Sequence, residues 1–148
     1  MSATLETSLS YPALQSLLVI DAMHPGVISC PTGTPLRTVA RMMASYRVHA
    51  ILVTAHEDAR MPDGSLWGII SDADLVRAAR TGNFDRRPAE TIAGTPPLMV
   101  ATADPLPHAA ELMAEHGVSH LVVVERRSMR PIGVLSTLDV ARALAGTG

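Results

Sequence analysis

The sequence predicts a mixed fold, α/β or α+β in class, built from two copies of one β-α-β-β-α unit. Three segments recur in the same order, two at a spacing of 70 residues and the third at 65: Thr34 to Met43 with Asp104 to Met113, Val48 to Val53 with Val118 to Val123, and Gly68 to Leu75 with Gly133 to Val140. A repeat of this length that preserves the order of its elements predicts a duplicated architecture.

The spacing of apolar residues predicts one long helix in each copy. Apolar side chains fall at positions 36, 39, 40 and 43, and again at 106, 109, 110 and 113, which is one face of a helix. Thr34-Pro35 and Asp104-Pro105 are predicted to supply an N-cap followed by proline at the first helical position. Gly117 is predicted to end the second helix in a left-handed conformation, with Arg47 at the matching place.

Short runs rich in β-branched residues follow each helix and are predicted to be buried strands. Shorter first strands are expected around Val27-Ile28-Ser29 and Leu98-Met99-Val100, and the hairpin of the first copy carries an insertion through residues 57–64. The predicted organisation is an N-terminal tail (1–15), repeat 1 (16–80), a linker (81–88) and repeat 2 (89–148). A weak helix is expected over residues 11–20, and disorder over residues 1–10.

Composition narrows the functional class. With 47% hydrophobic and 18% charged residues, the chain is expected to be globular. A net charge of −2 gives no electrostatic footprint for nucleic acid. The longest apolar runs, such as Leu121 to Val124, are too short for a membrane span, and no signal peptide is evident. Cys30 is the single cysteine, which fits a reducing cytoplasm, and it is expected to be a buried, unreactive side chain.

These segments resemble the CBS domain family, named after cystathionine beta-synthase, and specifically a tandem pair of the stand-alone prokaryotic kind, called a Bateman module. The matching pieces are Asp21 to Pro25, Thr34 to Leu36, Gly68 to Asp74, Asp104 to Leu106, Glu115 to His120 and Gly133 to Asp139. The resemblance implies two repeats packed through their sheets by pseudo-two-fold symmetry. It also implies clefts that bind an adenine nucleotide or adenosyl compound, such as AMP, ADP, ATP, S-adenosylmethionine or NAD.

The family's nucleotide signature is glycine, a hydrophobic residue, any residue, serine or threonine, any two residues, then aspartate. Both junctions fit it, and each places a hydroxyl and a carboxylate where a helix begins and anions are favoured. The resemblance implies phosphate ligands at Ser71, Ser136 and Thr137, and ribose ligands at Asp74 and Asp139. It implies base contacts near His49, Ala50, Ser119 and His120, with apolar walls from Val27, Ile28 and Met99.

Each of these residues has a simpler structural interpretation. Serine at such a junction is commonly an N-cap, and an aspartate in the first helical turn is stabilising without any ligand. The histidines show no metal-ligand spacing on one element, so no metal site is predicted. The strands after Ala50 and His120 lack a proline common in the family, which favours a ligandless scaffold that dimerises or docks to a partner protein.

No catalytic constellation appears in the sequence, so the prediction is a binding module without a catalytic cofactor, rather than an enzyme. The resemblance implies a homodimer formed through Met-rich and Ala-rich helical faces, and an effector protein that reads the bound state. An enzyme or a DNA-binding regulator is the least favoured alternative.

Overall fold

The computed structural model describes residues 12–55 and 65–146, and its contacts divide the chain into two compact units. The first-repeat unit consists of residues 27–98. The second-repeat unit combines residues 99–146 with residues 12–26 from the N-terminal segment. The predictions for residues 1–10 and for the hairpin insertion at 57–64 lie outside the described residues. Among the described helices, none has the length and apolar character needed to cross a membrane.

The N-terminal segment forms two short helices and a short strand instead of the single helix expected over residues 11–20. These elements are helix α1 (Pro12–Gln15), helix α2 (Val19–Ala22) and strand β1 (His24–Pro25). Leu18 interrupts the helical path because its backbone is extended, at φ −105° and ψ 163°, and forms a bridge with Pro105. A long-range backbone contact therefore overrides the local helical pattern.

The first-repeat unit is a three-stranded sheet with two helices. In chain order its elements are strand β2 (Ser29–Pro31), helix α3 (Leu36–Tyr46), strands β3 (Ala50–Ala55) and β4 (Ser65–Ser71), and helix α4 (Asp72–Ala78). β2 pairs with β3 in parallel, and β3 pairs with β4 as an antiparallel hairpin. Leu36, Val39 and Ile70 are completely buried in its core, as the helical and strand patterns predict.

The second-repeat unit has the same order of elements around a four-stranded sheet. These are strand β5 (Met99–Ala101), helix α5 (Leu106–His116), strands β6 (His120–Glu125) and β7 (Arg130–Ser136), and helix α6 (Thr137–Leu144). The strand order is β1-β7-β6-β5, so β1 of the N-terminal segment adds an antiparallel edge to β7. Two β-α-β-β-α units with separate sheets confirm the predicted fold class.

The starts of the two long helices differ from the sequence prediction by one residue. Pro35 and Pro105 are extended and occupy the N-cap position itself, so the helices begin at Leu36 and Leu106. Asp104 directs its carboxylate back to the N–H of Ala101, at 2.8 Å, and so caps the preceding turn rather than the helix. At the other ends, Arg47 and Gly117 adopt the predicted left-handed conformation, with φ of 55° and 62°.

The first N–H group of each long helix donates to a lead-in segment, which is a short stretch at the start of the other sequence repeat. We call residues 12–26 the N-terminal lead-in and residues 87–94 the central lead-in. The N–H of Leu36 donates to the carbonyl of Arg87, and the N–H of Leu106 donates to that of Leu17. The N-terminal lead-in thus completes the second-repeat unit, and the central lead-in completes the first-repeat unit. The repeat pattern in the sequence does not reveal this non-local exchange.

The segment predicted to be a linker, residues 81–88, contains a 3₁₀ turn at Phe84–Arg86. Phe84 is partly buried against the core of the first-repeat unit, and a second 3₁₀ turn, Ala89–Thr91, follows at once. The sequence lacks a helical period here because these turns are too short to show one. The proposed repeat boundaries remain a prediction.

The glycine of each signature lies where a lead-in crosses the sheet. A Cβ atom added to Gly68 would lie 2.4 Å from the carbonyl oxygen of Gly94, and one added to Gly133 would lie 2.5 Å from that of His24. Real Cβ atoms do not approach backbone oxygen so closely. The signature glycines therefore have a packing role that is independent of any ligand.

Candidate functional site

The two signature junctions have the same hydrogen-bond geometry. At the start of α4, Ser71 Oγ accepts from the N–H of Asp74 at 3.2 Å, and Asp74 Oδ2 accepts from the N–H of Ser71 at 2.8 Å. At the start of α6, Ser136 and Asp139 repeat both bonds at the same distances. This reciprocal arrangement is a capping box, in which the serine and the acidic residue satisfy each other's backbone donors. The structural interpretation of these four residues is thus confirmed.

The residues predicted from the first repeat meet at one end of the first-repeat sheet. Ala50 pairs with Ser71 across β3 and β4, and the N–H of Leu52 donates to the carbonyl of Ile28 at 2.9 Å. Val27 precedes Ile28 and is partly exposed. The strand ends and the start of α4 therefore bring together Val27, Ile28, His49, Ala50, Ser71 and Asp74.

Asp72 belongs to this first group although the sequence analysis did not select it. Its backbone N–H donates to the carbonyl of His49 at 2.9 Å, and its Oδ2 lies 2.8 Å from His49 Nδ1. Both side chains are exposed. The signal in the sequence is an acidic residue directly after the N-cap serine. The contact itself depends on pairing between β3 and β4, which the one-dimensional pattern does not show.

The residues predicted from the second repeat gather at the matching end of the second-repeat sheet. His120 pairs with Ser136 across β6 and β7, and the N–H of Thr137 donates to the carbonyl of Ser119 at 2.9 Å. Ser119 Oγ lies 2.8 Å from His120 Nδ1. Met99 pairs with Val122, two residues further along β6, and is partly exposed.

The two signature carboxylates differ in the side chains that contact Oδ1, the oxygen that the capping box does not use. Asp74 Oδ1 contacts Arg77, one turn along the same helix, and the Asp74 side chain is 25% exposed. Asp139 Oδ1 lies 2.8 Å from His24 Nδ1 and 3.4 Å from Arg142, and its side chain is only 1% exposed. His24 was not among the predicted site residues because β1, which carries it, reaches β7 only through the lead-in exchange.

A shallow apolar groove of about 250 Å³ lies between α5 and α6 in the second-repeat unit. Its lining residues are Ala110, Met113, Ala114, Val118, Thr137, Val140, Ala141 and Leu144. Thr137, predicted as a phosphate ligand, thus contributes to a helical face as well as to the junction. Alanine and aliphatic side chains on two adjacent helices form a surface suited to a second apolar helix.

Cys30 is buried in the first-repeat core, as predicted, with 3% of its surface exposed. Burial raises the pKa of its thiol; the hydroxyl of Thr34 partly opposes the rise, and the charge of Glu90 adds to it. A raised pKa keeps the thiol protonated at neutral pH, so Cys30 has little nucleophilic thiolate. Within residues 12–55 and 65–146, no group of three or more His, Cys, Asp or Glu side chains could hold a metal ion.

Several solved structures share this fold. The CBS domain pair of protein MJ0100, solved with 5′-methylthioadenosine and S-adenosyl-L-methionine, is 20% identical, with a TM-score of 0.75 over 89% of this chain and 98% of that chain. The CBS domain protein PAE2072 from Pyrobaculum aerophilum, complexed with AMP, is 28% identical, with a TM-score of 0.73 over 88% of this chain and all of that chain. A CBS-domain-containing protein from Agrobacterium tumefaciens, ATU1752, is 21% identical, with a TM-score of 0.73 over 85% of this chain and 92% of that chain. No curated protein matches the sequence.

The family model described as the CBS domain matches the sequence twice, at residues 19–81 and 89–146. These two matches cover most of the chain and follow the duplication seen in the sequence and in the two sheets. The chain therefore belongs to the CBS domain family and contains two CBS domains in tandem.

Proposed function

We propose that this protein is a non-catalytic regulatory module that binds an adenine nucleotide or an adenosyl compound in the cytoplasm. The observation that carries the proposal is the duplicated strand-to-helix junction, which places a serine hydroxyl and an aspartate carboxylate in the same geometry in both CBS domains. Two similar CBS proteins were solved with AMP or with S-adenosylmethionine and methylthioadenosine, which supports this ligand class.

The first junction offers suitable chemistry for such a ligand. Asp74 is partly exposed, and a carboxylate can accept hydrogen bonds from both hydroxyls of a ribose. Ser71 Oγ is used only as an acceptor in the capping box, so its hydroxyl proton can be donated to a phosphate or ribose oxygen. The backbone near His49 and Ala50 can read the edge of an adenine, with Ile28 and Val27 as apolar surface.

Calorimetry on protein freed of co-purified small molecules tests the proposal directly. We expect saturable binding of at least one of AMP, ADP, ATP, S-adenosylmethionine and NAD. Asp74→Asn keeps an oxygen for the capping box but removes the charge, and we expect it to weaken binding by about tenfold, or about 1.4 kcal/mol. Asp85→Asn is the matched control, because Asp85 is exposed in the same unit and forms a long ion pair with Arg37, at 3.8 Å. Absence of binding heat with all five compounds would overturn the proposal.

A ligandless scaffold is the second candidate function, and one observation favours it. Both capping boxes are complete without a ligand, and no buried side-chain nitrogen or oxygen in the described residues lacks a partner. The apolar groove between α5 and α6, and the exposed side chains of Val76 and Leu138 on α4 and α6, then serve dimerisation or docking to an effector protein.

The dimer can be tested independently of any ligand. We expect sedimentation to give the mass of two chains, and Leu144→Glu to shift it toward one chain because Leu144 lines the apolar groove. Met129→Glu is the control, since Met129 is similarly exposed, at 49% against 43%, but lies in the β6–β7 hairpin. A wild-type protein that sediments as a single chain at micromolar concentration would exclude the homodimer.

A further inference from the structure

The two lead-ins place different residues at equivalent positions beside the two signatures. His24 pairs with Val134, and Gly94 pairs with Ile69. Val134 and Ile69 each directly follow the signature glycine, so the two lead-ins cross their sheets in the same register. One junction therefore has an imidazole where the other has only a hydrogen atom.

This difference changes the contacts and the exposed fraction of the two signature carboxylates. The imidazole of His24 lies against Asp139 Oδ1 at 2.8 Å, while Asp139 Oδ2 is held by the N–H of Ser136. Arg142 also contacts Oδ1, at 3.4 Å, as Arg77 contacts Oδ1 of Asp74, so His24 is the additional partner at this junction, where 1% of the carboxylate side chain is exposed. Gly94 presents no side chain to Asp74, whose Oδ1 contacts the i+3 residue Arg77, whose Oδ2 accepts from the N–H of Ser71, and whose side chain is 25% exposed.

The His24 and Arg77 side chains are similarly exposed, at 65% and 68%, but they differ in how their backbone is held and in what their displacement uncovers. The backbone of His24 is held in β1 by pairing with β7, and the adjacent Gly26 N–H donates to the carbonyl of Ile132 at 2.8 Å. This pairing keeps the imidazole beside Asp139, so a ligand must rotate it away to reach a carboxylate that is only 1% exposed. Arg77 is a long side chain, 68% exposed on a helix surface, and an exposed i,i+3 ion pair is weak.

We infer that His24 occludes the second signature, so that an adenosyl ligand that needs the signature carboxylate binds at Asp74 and not at Asp139. This inference rests on the proposed ligand-binding function and adds specificity to it. The two CBS domains are unequal because His24 adds a second side-chain partner to Asp139, whereas Gly94 adds none to Asp74.

Exchange of the two lead-in residues tests the inference, with AMP and S-adenosylmethionine as probes. We expect the wild-type chain to bind one equivalent, with amide shifts at residues 71–74 in NMR spectra. His24→Ala should add a second site, with shifts at 136–139 and an affinity gain of at least about tenfold there. Gly94→His should weaken the first site by about tenfold. Gly94→Ala is the control, because an added Cβ there meets only the Ile69 carbonyl oxygen at 3.7 Å.

The outcomes separate this inference from the proposed function. Two equivalent sites in the wild-type chain, or a single site with shifts at 136–139, would overturn the role of His24 while leaving the ligand-binding function intact. A His24→Ala variant that stays folded by circular dichroism but binds no second equivalent would also overturn it. Absence of binding to the wild type and to every variant would overturn both conclusions together.

Discussion

Replacing Gly68 or Gly133 with alanine is expected to lower the free energy of unfolding by about 1–3 kcal/mol at each position. The added methyl group would meet a backbone carbonyl oxygen at 2.4 Å in the first-repeat unit and at 2.5 Å in the second. Backbone oxygen cannot rotate away as a flexible side chain can, so the crossing lead-in must shift. Urea denaturation followed by circular dichroism measures the loss.

Gly82→Ala is the matched control for these two substitutions. An added Cβ at Gly82 meets nothing within 4 Å, and the residue does not need a positive φ. We expect its stability to change by less than about 0.5 kcal/mol, as for other open surface positions. Gly68→Ala and Gly133→Ala variants as stable as Gly82→Ala would contradict the close approach of the lead-ins to the two signature glycines. A loss in stability without ligand would show that the signature glycine is needed for packing.

The second large effect is expected at Asp139. Asp139→Ala should destabilise the ligand-free protein by about 2–3 kcal/mol, and Asp74→Ala by about 1 kcal/mol. Both changes remove an acceptor from a capping box. Only Asp139 is itself buried, and it also contacts His24 and Arg142, so its loss removes the shared carboxylate partner of the Ser136 N–H and of these two side chains.

Thermal and urea unfolding of the ligand-free variants measures this difference. Asp139→Asn, which keeps an oxygen for the N–H of Ser136, should recover part of the loss. Equal destabilisation by Asp139→Ala and Asp74→Ala would contradict the inequality of the two junctions. The comparison is made without ligand, so it reports on the fold alone.

Much of this fold follows from local sequence patterns. The apolar spacing after Pro35 and Pro105 predicts both long helices, and β-branched runs predict the strands that follow them, because burial of one face leaves a clear periodic signal. The pattern also identifies the two serine–aspartate junctions, which occur in the structure as matched capping boxes. The first strands are shifted slightly, to Ser29–Pro31 and Met99–Ala101, because a short buried strand has no period to fix its ends.

The site features that the sequence did not predict depend on contacts between distant segments. The carbonyl groups of Leu17 and Arg87 reach the helix starts at Leu106 and Leu36 through backbone atoms, which carry no side-chain signature. His24 reaches Asp139 only because β1 pairs with β7. A capping function and a ribose-binding function require the same serine and aspartate, so the sequence alone leaves that choice open.

The exchange of lead-ins has a consequence for how such a protein can arise. In a half-length chain with one lead-in and one repeat, no lead-in from another repeat would pack against the signature glycine or accept a hydrogen bond from the start of the long helix. The chain would have to fold its lead-in back onto its own sheet. Two half-length chains could instead close both units by trading lead-ins, as subunits do in domain-swapped dimers. Gene duplication and fusion would then make that mutual dependence permanent within one polypeptide, and later change at position 24 or 94 could alter one half without the other.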